Sequence, residues 1–184
     1  KVGVLDTRVS KSGQGVAAVC KYLYTDMSLM LGFPMTKEQR IMNDVPPQHI
    51  IAESIGATLY PQQATRQSIM YYKFKRIVEE NNGVMLPHGL PFKETAISVS
   101  EELLTIPDNL LKGTIVLIVG TGTILSGILV GLYKREISPD IIGISAGKSS
   151  DVQFKNIDKL TTELLPFCGK LRSNVKLLQP IMDY

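Results

Sequence analysis

TIVLIVGTGTILSGILVGLY, residues 114–133, is the stretch on which the reading of this chain turns. TIVLIVG (Thr114–Gly120) is an apolar, β-branched run, the pattern of a strand at the centre of a parallel sheet. ILSGILVGLYKREI (Ile124–Ile137) has the spacing of a helix. Between them lies Gly120-Thr121-Gly122-Thr123. In a strand–turn–helix of this kind, backbone N–H groups and the helix N-terminus converge on an anion. Glycines let the backbone approach it without Cβ clashes, and Thr121 and Thr123 add hydroxyls. Gly127 and Gly131, four apart on one helix face, are expected to allow close packing on the sheet. A dinucleotide fingerprint needs G-x-G-x-x-G, but here the third Gly falls at 127. A P-loop needs Gly-Lys-Ser/Thr, and no Lys is present. The spacing suits one phosphate better than a pyrophosphate; a glycine-rich turn with no ligand is the other reading of the motif taken alone.

No charge appears between Lys112 and Lys134, a length that could span a bilayer. The polar and glycine residues concentrate at its centre, where lipid would penalise them most. A buried strand, a tight turn and a buried helix account for the pattern better.

Outward from this stretch, short apolar strands alternate with helical segments. Strands are expected at Val2–Val9, Met27–Phe33 (ended by Pro34), Ala57–Pro61, Val84–Gly89 and Asp140–Gly147. Helices are expected at Ser12–Leu23, Pro46–Gly56, Arg66–Gly83 and Lys93–Pro107. The remainder reads as helical around Val152–Leu165 and strand-like near Val175–Leu178. This rhythm implies a doubly wound α/β fold of mostly parallel sheets with helices on both faces. A boundary near Pro61–Arg66 divides the chain into a smaller α/β domain, residues 1–62, and a larger one, 63–184. A weaker break lies near Pro87–Lys93.

A second loop repeats the construction of the first. The strand from Val2 leads into Ser10-Lys11-Ser12-Gly13-Gln14-Gly15 and then a helix. Hydroxyls, an amide and a lysine thus stand at the C-terminal end of a strand, where open α/β sheets bind ligands. An ordinary Ser N-cap is the competing reading. His88, in L-P-H-G after a strand, is a candidate acid–base or substrate-facing group or a plain loop histidine. His49 reads as a helix-surface residue.

Bulk properties narrow the function classes. Hydrophobic residues make up 44% of the 184 residues and charged residues 20%, the profile of a globular protein. The 20 basic and 17 acidic residues leave a net charge of +3 with no basic run, so nucleic acid is not an expected partner. Cys20 and Cys168 make no disulfide framework and read as reduced thiols. No Cys/His spacing suggests a metal site, and no signal peptide or membrane span is expected.

Together the two loops resemble those of fold-type-II pyridoxal-phosphate-dependent enzymes. S-K-S-G-Q-G-V-A-A, from Ser10, resembles their Ser-Ser-Gly-Asn loop; G-T-G-T-I-L-S-G, from Gly120, resembles their phosphate loop. AESIGATLYP, VMLPHG and DIIGISAG resemble intervening segments, so the likeness runs from about Val2 to Gly147 and is nearest the 1-aminocyclopropane-1-carboxylate deaminase and D-cysteine desulfhydrase branch. It implies a tryptophan synthase beta-like fold and pyridoxal 5'-phosphate as cofactor. Gly120, Thr121, Gly122 and Thr123 would bind its phosphate. Ser10, Lys11, Ser12, Gln14 and His88 would lie at the substrate site. The implied substrate is a small amino acid, undergoing deamination, β-elimination or β-replacement in a cytoplasmic homodimer. The family's Schiff-base lysine is expected upstream of Lys1, and its pyridine-nitrogen partner beyond Tyr184, so no catalytic residue is assigned within the chain. The family's first-loop Asn is Gln14 or Lys11 here, and the doubled Gly of the phosphate loop is missing. A non-catalytic relative that binds a phosphorylated ligand or a partner, and an unrelated α/β nucleotide-binding domain, remain as alternative readings.

Overall fold

β1 (Val2–Leu5) lies inside a four-stranded parallel sheet of order β3-β2-β1-β4, with β2 at Leu29–Met35, β3 at Thr58–Gln63 and β4 at Val84–Met85, in a computed structural model that describes residues 1–146, 150–166 and 174–179. Cys168 and Gly147 lie outside the described residues. The chain forms two compact units, Lys1–His88 and Gly89–Tyr184. The division therefore falls at the second of the two breaks marked in the sequence, not at 62/63. The reason is the placement of α4 (Gln67–Glu80): its Met70, Phe74 and Val78 are buried with Leu5 and Met30 of the first sheet.

Helices cover both faces of that sheet. α1 (Ser12–Tyr22) and α3 (Pro47–Ser54) bury Ala17, Cys20 and Ala52 against Val4, Leu29 and Leu31; α4 covers the other face. Pro34 does not end β2. It sits within it, paired with Gln62 of β3. The Gly32 carbonyl accepts from Asp6 N–H (2.8 Å) on the β1 side, so Pro34, two residues on, also faces that side. There β1 has already ended, and the missing Pro N–H breaks no ladder bond. After β2 the chain forms a short helix, α2 (Lys37–Ile41), opened by a capping box between Thr36 and Gln39.

In the second unit, β5 (Thr114–Val119), β6 (Asp140–Ser145) and β7 (Val175–Leu178) form a parallel sheet of order β5-β6-β7. α5 (Lys93–Leu104), α6 (Thr123–Lys134) and α7 (Ser150–Leu164) contribute to one core with Val119, Ile141 and the partly buried Ile115, Leu117 and Leu177. β5 is thus an edge strand among the described residues, not a central one. On its other face Val116 and Ile118 are 60% and 74% exposed. No helix among the described residues is long and apolar enough to cross a membrane.

Gly127 and Gly131 pack against α5, not the sheet. A Cβ at Gly127 would stand 2.6 Å from the Ala96 carbonyl oxygen and from Val99 Cβ; one at Gly131 would meet Leu103 at 2.7 Å. These glycines set the distance between α5 and α6. Gly127→Ala is expected to lower stability by about 1–3 kcal/mol through overpacking. Urea unfolding monitored by circular dichroism checks this, and an unchanged midpoint would mean that α5 can recede.

Candidate functional site

Apart from His88, which follows β4, the candidate residues fall into two loops, one in each unit, and each loop is built within its own unit. The glycine-rich turn follows β5, whose Val119 is buried. Gly122 is the N-cap of α6 and takes φ +91°, a left-handed conformation that glycine alone adopts cheaply. A Cβ there would also lie 2.7 Å from Ile157 Cγ1 of α7. At Gly120, by contrast, an added Cβ would meet nothing within 4 Å among the described residues. Among the described residues, no backbone acceptor takes the N–H of Gly120, Thr121, Gly122 or Thr123. The first turn of α6 carries no acidic residue. The Thr121 and Thr123 hydroxyls lie 3.0 Å apart and share one hydrogen bond. The backbone of Gly89 closes one side, since a Cβ on it would be 2.4 Å from Thr121 Cγ2.

N–H groups with no backbone acceptor among the described residues, two hydroxyls, a helix N-terminus and space at Gly120 come together at this turn, the elements from which anion cradles are built. The four residues predicted for the phosphate are therefore contiguous in space, and a monophosphate suits their chemistry. Two residues not anticipated from sequence support the turn from α7. Gln153, fully buried, donates from Nε2 to the carbonyls of Val119 (2.6 Å) and Gly120 (3.1 Å). Asn156 Nδ2 donates to the Thr121 carbonyl (3.3 Å).

The first loop is organised by a residue that carries no sequence motif, Asp6. Its carboxylate, 4% exposed, lies just past the end of β1 and accepts from Ser12 Oγ (2.8 Å) and from Gly13 N–H (2.8 Å). Ser12 Oγ is in turn 2.8 Å from Ser10 Oγ. Ser10, Ser12 and the start of α1 are thus brought together, but around an internal carboxylate. The N-terminus of α1 already holds an anion, so a ligand carboxylate there would meet the charge of Asp6. Lys11 is exposed, and Gln14 is partly buried one turn into α1. His88 is exposed and pairs with Gln67, whose Nε2 is 2.8 Å from His88 Nε2.

His49 is not a surface residue. It is fully buried, stacked on Phe33 with ring centroids 4.4 Å apart, and its Nε2 lies 3.9 Å from Asp6 Oδ2. That distance is too long for a hydrogen bond, and neither ring nitrogen has a hydrogen-bond partner among the described residues. Burial alone would raise the Asp6 carboxyl. The hydrogen-bond donors around it, Ser12 Oγ and Gly13 N–H, outweigh it and hold the carboxyl below the usual aspartate value of 3.8.

No protein-family model matches the chain. In sequence it is 27% identical over 164 residues to the glycyl-dTMP PLP-dependent decarboxylase of Pseudomonas phage M6, covering 86% of this chain and 58% of that protein. Among solved structures it superposes on an ACC deaminase homologue with a TM-score of 0.73 at 17% identity, covering 97% of this chain and 55% of the other. Maize serine racemase gives 0.60 at 13% identity, with 97% and 56% covered. The processed form of threonine deaminase isoform 2 from Solanum lycopersicum gives 0.53 at 16% identity, with 80% and 40% covered. The chain thus spans little more than half the length of the phage protein, the deaminase homologue and the racemase. The tryptophan synthase beta-like α/β fold class expected from the sequence is the fold observed.

Because the Asp6 carboxyl is depressed in the folded chain, its contribution to stability is present above the unfolded aspartate value. That contribution is lost as pH falls through the lower, folded value. Asp6→Asn should remove this part of the acid sensitivity. It should also cost about 1.5–3 kcal/mol at neutral pH, the range for hydrogen bonds to a charged group. Unfolding free energies of both proteins across the acid range up to neutral pH test this; parallel profiles would show that Asp6 does not couple folding to protonation.

Proposed function

We propose that this chain is part of a pyridoxal-phosphate-dependent enzyme acting on an amino-acid group, and that Gly120, Thr121, Gly122 and Thr123 bind the cofactor phosphate. The observation that carries the reading is the turn itself. Four successive N–H groups that no backbone acceptor among the described residues takes stand at the N-terminus of α6, where a Cβ on Gly120 would meet no described atom within 4 Å. The sequence match to a PLP-dependent decarboxylase supports the same assignment. When bound, pyridoxal phosphate supplies an electron sink for charge developing at a substrate carbon. The residues of this chain would orient and retain it: backbone N–H groups and the hydroxyls of Thr121 and Thr123 would donate hydrogen bonds to the phosphate, and the positive end of α6 would add to their field.

Ser10, Lys11, Ser12, Gln14 and His88 form the substrate side of the reading. Within it, Ser12 is held by Asp6, Ser10 is bonded to Ser12 and His88 is paired with Gln67, so a ligand would compete for these three and meet Lys11 and Gln14 directly. Deamination, β-elimination or β-replacement of a small amino acid is the first reading of the reaction. The name of the phage relative favours a second, decarboxylation of a glycyl group carried on a thymidine nucleotide. Assays of the complete enzyme with free amino acids and with a glycyl-bearing thymidine nucleotide separate the two. The same reading makes the enzyme a cytoplasmic homodimer, which the mass from analytical ultracentrifugation and cell fractionation would check.

Gly120→Asp tests the phosphate assignment. Its Cβ has room, so the fold is expected to persist, while the carboxylate stands beside the phosphate dianion. Calorimetric titration should show pyridoxal phosphate binding at least about tenfold more weakly, a loss of about 1.4 kcal/mol or more. The melting temperature should be unchanged. Equal affinity in variant and parent would remove this turn from the site.

A further inference from the structure

We infer that Gln153 and Asn156 are positioning residues for the anion-binding turn, aiming its N–H groups by holding its carbonyls. The inference rests on the phosphate reading of that turn. The two residues stand three apart on α7 and so project from one face of the helix. Between them they hold three successive carbonyls: Gln153 Nε2 donates to Val119 O and Gly120 O, and Asn156 Nδ2 donates to Thr121 O. The described peptide bonds include no cis bond. In a trans peptide the C=O and the following N–H point in opposite directions across one plane. Fixing the carbonyls of Val119, Gly120 and Thr121 toward α7 therefore turns the N–H groups of Gly120, Thr121 and Gly122 away from it, to the side where no backbone acceptor among the described residues takes them.

The chemistry of Gln153 supports a role beyond packing. Its side chain is fully buried, yet Oε1 has no hydrogen-bond partner among the described residues. A buried acceptor left unpaired costs free energy, so the amide is a poor choice for filling the core. What it supplies is the donor: Nε2 reaches two carbonyls at once, one of which, Val119 O, already accepts the sheet bond from Ala146 N–H (2.8 Å). The approach of Ile157 to Gly122 seats the same turn from the next position on α7. Three residues of one helix thus set the conformation of a loop that contributes every group proposed to touch the phosphate.

The test uses inorganic phosphate and the whole chain, followed by amide NMR. In the parent protein, phosphate should shift the Gly120, Thr121, Gly122 and Thr123 amide signals with a measurable Kd. Gln153→Leu should raise that Kd by about tenfold or more, a change of about 1.4 kcal/mol. Asn156→Ala, at a partly exposed position, should raise it by roughly threefold, or about 0.7 kcal/mol. Its Gly122 amide signal should also be displaced before phosphate is added, with the melting temperature held. If Gln153→Leu fails to fold, Asn156→Ala decides. Folded variants that bind phosphate as the parent does would overturn the positioning role and leave the phosphate site standing. A parent protein whose turn amides do not respond to phosphate would overturn both.

Discussion

Gly122 turns the chain from β5 into α6 at φ +91°, and the side on which any other residue would carry a Cβ is occupied by Ile157. The second unit is organised around this constraint. The left-handed step lets α6 start at Thr123 with its first N–H groups taken by no backbone acceptor among the described residues. It also brings the turn close enough to α7 for Gln153 and Asn156 to reach its carbonyls. Replacing Gly122 would strain the backbone and push α7 away together, so the turn and the helix behind it act as one structure. The proposed chemistry is correspondingly local: the anion is bound mainly by backbone, and the side chains that matter most for its geometry lie behind the loop.

The first unit solves a similar strand–loop–helix problem by different means. Where α6 leaves its N-terminus open, α1 has Gly13 N–H and Ser12 Oγ bound to the buried Asp6 carboxylate. A helix N-terminus attracts an anion; here the chain supplies its own. The two loops look alike in sequence but differ in electrostatics. One offers donors to a ligand, and the other has committed much of its donor capacity internally. His49 is buried beside Asp6 and stacks on Phe33.

The β5–turn–α6 unit is legible in the sequence because everything needed to form it is local: a β-branched run, two glycines and an apolar helix. The parallel α/β class follows from the alternation of elements. What is not legible depends on partners distant in sequence. Pro34 reads as a strand terminator, yet β1 ends before its missing donor matters. His49 and Ala52 face the core while Ile50 and Ile51 are about half exposed, the reverse of their hydrophobicity, so the apolar pattern of α3 points to the wrong face. α2 does have a local signal, the capping box of Thr36-Lys37-Glu38-Gln39, but its helix is too short to show an apolar period. Asp6, Gln153 and Asn156 carry no motif. Each matters for a backbone group it meets: Asp6 seven residues along the chain, Gln153 and Asn156 more than thirty residues back.

The central claim is that the turn from Gly120 to Thr123 binds the phosphate of pyridoxal phosphate. The most direct measurement compares pyridoxal phosphate with pyridoxal, which lacks the phosphate, by calorimetric titration of the same protein. The phosphate-bearing molecule is expected to bind more tightly by at least about 100-fold, or about 2.7 kcal/mol. Equal affinity for the two would contradict the claim.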